Sequence, residues 1–178
     1  MSDSSVAEFT RLVDALTKQG SPVDVATMSK LSGEIGKAFG VKDDEVAILI
    51  TTKDEKFLQF VVPIALQKIG TIPVTSTSAL ASRTAREKRP EVINNFTISR
   101  HSTVFEAVPL EQKLRGDPIQ KIMSVPVIQE GKVAGVVQVS RKGKSVATVG
   151  PDFAPRELTE LASYAVQVGR CFKFLVMG

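Results

Sequence analysis

Among 178 residues there is one cysteine, one histidine, one tyrosine and no tryptophan. Each scarcity removes a class of chemistry. The lone Cys171 cannot close an intramolecular disulfide, so a secreted fold held by cross-links is excluded. The lone His101 leaves any Ser-His-Asp or Cys-His arrangement a single base, and no Gly-x-Ser-x-Gly elbow supplies a nucleophile. His101 also lacks Cys or carboxylate partners at metal-ligand spacing. With one tyrosine and no tryptophan, no stacking platform for single-stranded nucleic acid is evident. No run approaches roughly 18 uninterrupted apolar residues, so no membrane-spanning helix is expected. The first residues, Met1 to Val6, carry no basic stretch followed by an apolar run. No signal peptide is therefore expected, and a cytoplasmic location is the simplest reading.

What is present reads as an ordinary globular chain. Hydrophobic residues make up 43% and charged residues 24%, and the length suits one domain or one domain plus a helical extension. The net charge of +4 gathers at Arg83, Arg86, Lys88 and Arg89, and again at Arg141, Lys142 and Lys144. These read as solvated charge on a helix and at a strand end, so nucleic acid is an unlikely partner. Gly143-Lys144-Ser145 ends like a phosphate-binding loop, but Gln138 stands where that motif needs glycine.

Periodicity gives the element order. Val6, Phe9, Val13 and Leu16 recur at helical spacing. Ser21 is placed to cap a second helix with Pro22 at its first position, a stripe of Met28, Leu31, Ile35 and Phe39, and Gly40 as its stop. Residues 45–52 and 57–62 read as two strands around the turn Lys53-Asp54-Glu55. Residues 63–75 give no clear signal. Ser76-Thr77-Ser78 look like a cap for a helix running to about Lys88, and Glu91 to Asn94 can be a short strand. From Asn95 to Asp117 periodicity is lost, a length of irregular chain that is usually functional in compact domains. Pro155 opens a last helix whose stripe of Leu158, Leu161, Ala165, Val168, Phe172 and Leu175 keeps helical spacing to the end of the chain. Cys171 lies near that stripe and reads as a buried core thiol.

The most informative segment is Ile122 to Gly143. Two β-branched runs flank Glu130-Gly131, the signature of a two-residue hairpin turn. On the second strand, alternation puts Val133, Gly135, Val137 and Val139 on one face and Ala134, Val136, Gln138 and Ser140 on the other. The first face needs a core partner. The second suits a shallow, partly wet cavity.

These stretches, in this order, resemble the GAF domain family. Ile72 to Ala81 resembles the family's small-residue lead-in to its middle helix, and Arg89 to Asn95 the segment that leaves it. Ser124-Val-Pro-Val and Gly131 to Lys142 resemble the family's "cVP … G-x-x-x-G-V" hairpin, and Phe153 to Ala162 the start of the closing helix. The resemblance spans roughly residues 22 to 176. It implies an α+β, PAS/GAF-like fold: a central antiparallel sheet of five to six strands, terminal helices on one face and a ligand pocket on the other. It implies domain bounds of 1–21 for an N-terminal helical extension, a candidate dimerisation helix, and 22–178 for the GAF-like domain.

Family members commonly act as sensors of cyclic nucleotides, bilins, haem or metabolites, and many dimerise through the terminal helices. Bilin-binding members attach chromophore through a pocket cysteine, and members that reduce free methionine sulfoxide use several. Here the sole Cys171 lies in the closing helix. The expectation is therefore a non-enzymatic sensory domain in signal transduction, with an unknown small-molecule ligand and no identified cofactor or metal. It would act as a homodimer on a separate output protein, away from membranes. A ligand-free dimerisation or scaffold module is the alternative, and a GAF-fold enzyme the third reading. Candidate pocket residues are Ser76, Thr77, Arg83, Asn94, Arg100, His101, Lys121, Met123 and Gln138, polar or flexible side chains at the helix lead-in, strand ends, irregular segment and second hairpin face.

Overall fold

The computed structural model describes residues 2–96 and 117–177. Helix α1 (Ser2–Thr17) buries Phe9 and Val13. The next helix does not begin at Ser21 and Pro22. Val23–Asp24 forms a short strand, β1, and Asp24 caps α2 (Val25–Phe39), its carboxylate accepting the Thr27 N–H at 2.8 Å. Bonds from the Thr27 side chain and backbone hold the Asp24 carboxyl below its ordinary range. Serine and aspartate cap about equally well. The choice is made by tertiary pairing, which keeps Val23 extended and so delays the helix. Gly40 ends α2 at φ +67, as its sequence position predicts.

Six strands form the main sheet in the order β4-β3-β2-β7-β6-β5. They are β2 (Val46–Thr51), β3 (Phe57–Val62), β4 (Thr71–Pro73), β5 (Glu91–Ile93), β6 (Ile119–Gln129) and β7 (Lys132–Lys142). Every neighbouring pair is antiparallel. The stretch without a clear sequence signal becomes a 3-10 helix, Ile64–Ile69, and the edge strand β4. Helix α3 (Leu80–Glu87) lies between β4 and β5 in the chain, and α4 (Pro155–Phe172) follows β7. Pro155 sits in the first turn of α4, where its missing N–H costs nothing.

The sheet separates two cores. On one face Ile48, Val61, Val125, Val127, Val137 and Val139 pack against Phe9, Val13, Met28, Leu31, Ile35, Leu161, Tyr164 and Val168 of the three long helices. On the other, Leu49, Leu58, Phe60, Ile122 and Val136 meet Leu80, Ala81, Ala85 and Phe96. Full burial of each such aliphatic side chain contributes about 1.5–3 kcal/mol.

Glu130 (φ 53) and Gly131 (φ 80) form the β6–β7 turn, both left-handed as a two-residue turn requires. Beyond the turn the alternation slips once. The register runs Gln129↔Lys132 and Ile128↔Val133, then Val127↔Gly135, so Ala134 is an extra residue on β7. Val133 therefore packs into the α3-side core and Ala134 into the helical core, the reverse of regular alternation from Val137. Val137 and Val139 do face the terminal helices. The closing helix also stops earlier than its spacing suggests. It ends at Phe172, and Leu175–Val176 forms β8, parallel to β1.

Candidate functional site

The sheet face covered by α3 carries a buried polar chain in an apolar surround. Ser124 on β6 and Gln138 on β7 are directly opposed, so their side chains share a face. Thr84 reaches them from α3. The three are 0%, 1% and 1% exposed respectively. Gln138 Nε2 donates to Ser124 Oγ at 3.1 Å, and Ser124 Oγ lies 2.7 Å from Thr84 Oγ1. Thr84 Oγ1 in turn bonds the Leu80 carbonyl at 3.0 Å. One direction satisfies every hydroxyl: amide to serine, serine to threonine, threonine to the first turn of α3. The other end of the amide, Oε1 of Gln138, has no hydrogen-bond partner among the described residues. An unpaired buried acceptor costs about 1–3 kcal/mol and calls for an explanation.

Gln138 borders a small cavity with Asp44, Glu45, Ala47, Pro63, Leu66, Ile122, Ser140 and Lys142. Its volume is about 10 Å³, the room of a single water. Its walls are fixed by backbone contacts. The buried Glu45 carboxylate accepts the N–H groups of Lys42 at 2.8 Å and Lys142 at 2.6 Å, and Ser140 Oγ donates to the Glu45 carbonyl at 3.3 Å. A ligand larger than water must therefore displace cover such as Pro63 or Leu66. Helix α3, over the polar chain, is pinned to the segment before it, where Ser82 Oγ donates to the Pro73 carbonyl and Arg86 Nη1 to the Val74 and Ser76 carbonyls.

The described candidate residues from the sequence do not gather at one site. Gln138 occupies the predicted mixed face. Ser76 lies in the turn before α3, where its Oγ is 3.3 Å from that of Ser78, and Thr77 is exposed. Neither caps the helix: Ala79 stands at the cap, with no side-chain bond. Arg83 pairs with Glu91. Met123 is fully buried in the core under the terminal helices, because it opposes Val139 rather than Gln138. Lys121 and Asn94 grip the loop before α4. Lys121 Nζ bonds the Gly150 carbonyl and Asp152, both at 2.8 Å. Asn94 accepts the Phe153 N–H at 2.9 Å and donates to its carbonyl at 3.1 Å. Arg141 completes that clamp, donating to the Pro151 carbonyl and stacking 4.5 Å over the Phe153 ring. Arg100 and His101 lie outside the described residues.

Ser124 and Thr84 were missed. Counting back evenly from the turn would set Ser124 opposite Val137; the Ala134 bulge sets it opposite Gln138. The sequence carries no plain mark of that bulge.

Cys171 is fully buried, and burial pushes its thiol pKa up, against a smaller opposing pull from Arg170. Among the described residues, no group of three His, Cys, Asp or Glu could hold a metal ion. Among the same residues no helix is long and apolar enough to cross a membrane.

The family model of the GAF domain matches residues 26–172. The chain belongs to the GAF domain family. Solved GAF structures share its architecture. The GAF domain of an Acinetobacter phosphoenolpyruvate-protein phosphotransferase superimposes with a TM-score of 0.69 at 14% identity, covering 95% of this chain and 90% of that one. Its counterpart from Coxiella burnetii gives 0.68 at 11% identity, covering 94% and 90%. A free methionine-R-sulfoxide reductase from Neisseria meningitidis, solved with its substrate, gives 0.64 at 14%, covering 97% and 88%. At such identities the likeness carries the fold alone, and the same GAF fold serves regulatory domains and at least one enzyme. No curated protein matches this sequence. GAF domains are commonly sensory or regulatory.

Proposed function

We propose that this GAF domain is a cytoplasmic regulatory module that binds a small molecule on the α3 side of its sheet. The ligand donates a hydrogen bond to Gln138 Oε1, and its occupancy is passed through the terminal helices to a separate output protein. The observation that carries this reading is the unpaired, fully buried Gln138 acceptor at the end of an otherwise satisfied polar chain. In this reading residues 1–21 form an extension that helps pair two copies, and residues 22–178 bind the ligand. The module is not itself an enzyme.

A second reading has its own support. The cavity beside Gln138 measures about 10 Å³, and the helical layer exposes Leu12 and Val166 at 41% and 55%. A ligand-free module that self-associates through its helices accounts for both. Thermal unfolding of the wild type and of Gln138→Leu, each with a panel of purine nucleotides, amino acids and 2-oxo acids, separates the two. A compound that raises the wild-type Tm and loses that effect in the variant supports ligand binding. No shift with any compound, together with a dimer by sedimentation, selects the scaffold.

A further inference from the structure

Helix α4 ends without a glycine or proline stop, in a turn closed by the Phe174 N–H on the Cys171 carbonyl at 3.0 Å. The apolar series Leu161, Ala165, Val168, Phe172 and Leu175 keeps helical spacing across the helix end. The residues that follow, Lys173-Phe174-Leu175-Val176-Met177, contain neither glycine nor proline. Lys173 itself remains in helical geometry (φ −62, ψ −27). By contrast α2 and α3 stop at left-handed residues, Gly40 and Lys88. Just past that turn the chain is held by a distant strand. The Val23 N–H donates to the Phe174 carbonyl at 2.7 Å, and β1 pairs with β8 in parallel register, Val23↔Leu175 and Asp24↔Val176. Two residues of parallel pairing is a small hold.

The strand that provides this hold lies in the joint between α1 and α2. Asp24 belongs both to β1 and to the α2 cap. A shift of α1 against α2 acts directly on the strand that keeps α4 short.

We propose that residues 173–176 form a two-state strap: paired with β1 they end α4 at Phe172, and released they continue α4 by about one turn. The length of α4 then reports the geometry of the α1–α2 joint. None of the strap's residues belongs to the ligand site on the α3 face.

Two prolines separate the states. Val23→Pro removes the donor to Phe174 and frees the strap. In the parallel ladder Val23 bonds the residues on either side of Leu175, so the Leu175 N–H is spare, and Leu175→Pro blocks the helix while leaving the pairing intact. The readout is backbone carbon chemical shifts and amide exchange by NMR on the full chain. Leu175 and Val176 are expected to change from strand-type to helix-type shifts in Val23→Pro, and Val176 is expected not to do so in the double variant. In Leu175→Pro the Val23 amide is expected to exchange several-fold more slowly, because the helical released state is lost. Strand-type or random-coil shifts in a folded Val23→Pro would overturn the proposal. If that variant does not fold, an unchanged or faster Val23 exchange in Leu175→Pro overturns it alone.

Discussion

Replacing Ser124 by alanine tests whether the buried polar chain is a connected unit. The substitution removes the acceptor of Gln138 Nε2 and the partner of Thr84 Oγ1. Thr84 keeps its bond to the Leu80 carbonyl, so its loss is one ordinary hydrogen bond, about 1 kcal/mol. Gln138, 1% exposed and already lacking a partner at Oε1, is left with both ends of its amide unpaired, costing a further 1–3 kcal/mol or so. Ser124→Ala is therefore expected to destabilise by about 2–4 kcal/mol. Gln138→Met keeps the length of the side chain and deletes both the donor and the unpaired acceptor. It is expected to be near neutral, since Ser124 keeps its bond to Thr84 and the lost hydrogen bond is offset by relief of the unpaired Oε1.

The double variant then loses only the Thr84 bond, about 1 kcal/mol. In a double-mutant cycle this appears as a compensating coupling of about 1–3 kcal/mol. Urea unfolding followed by circular dichroism measures it. Thermal scans give a parallel check, at roughly 2–4 °C per kcal/mol for a domain of this size. If Ser124→Ala costs no more than an ordinary surface change, or the double variant loses the plain sum of the singles, the chain is not a unit. The case for Gln138 as a ligand contact would weaken with it.

Other expectations follow from packing and ionisation. A methyl group at Gly135 would lie 2.1 Å from the Leu49 carbonyl oxygen and 2.8 Å from Phe172 Cε2. Gly135→Ala should lower the urea midpoint by an amount equivalent to at least about 1–3 kcal/mol, because the closest atom is backbone and cannot step aside. An unchanged midpoint would show that β2 and β7 are farther apart than described. Tyr164 is the sole tyrosine, and burial, reinforced by Glu160, pushes its phenol up to about 12 from the ordinary value of 10.0. Ultraviolet titration of the native protein should show no ionisation step near pH 10. Below pH 10 the phenol is neutral whether the chain is folded or not, and the unfolded chain loses its proton first. Stability should therefore fall as pH rises from 10 towards 12. A native transition near pH 10 would contradict the packing of Phe9 and Phe39 against this ring.

Local chemistry was legible wherever one residue decides one conformation. Glu130-Gly131 announced its turn, Gly40 ended α2 and Pro155 opened α4, because each acts through its own backbone dihedrals. The mixed face holding Gln138 could be read from alternation near the strand's middle. Misplacements arose where a distant strand overruled a local preference. Ser21 lost the cap to Asp24 because β8 pairs with Val23, and Met123 left the pocket face because it opposes Val139. Asn94 and Lys121 read as pocket residues in the sequence, but what they hold is the loop before α4, distant in sequence.

By itself, then, the sequence determined the long helices and the two-faced hairpin, since hydrophobic period and turn chemistry are short-range properties, while the GAF fold entered through the resemblance of its motifs in their order. The register of that hairpin was decided by tertiary structure. One extra residue at Ala134 moved Val133 to the opposite core and set Ser124 against Gln138. A strand has period two, so a single-residue slip reverses a face, and only the packing of both cores fixes where that slip occurs. The course of the chain beyond α4 was settled in the same way, by β1 pairing with Leu175 and Val176 although Leu175 keeps the helical spacing.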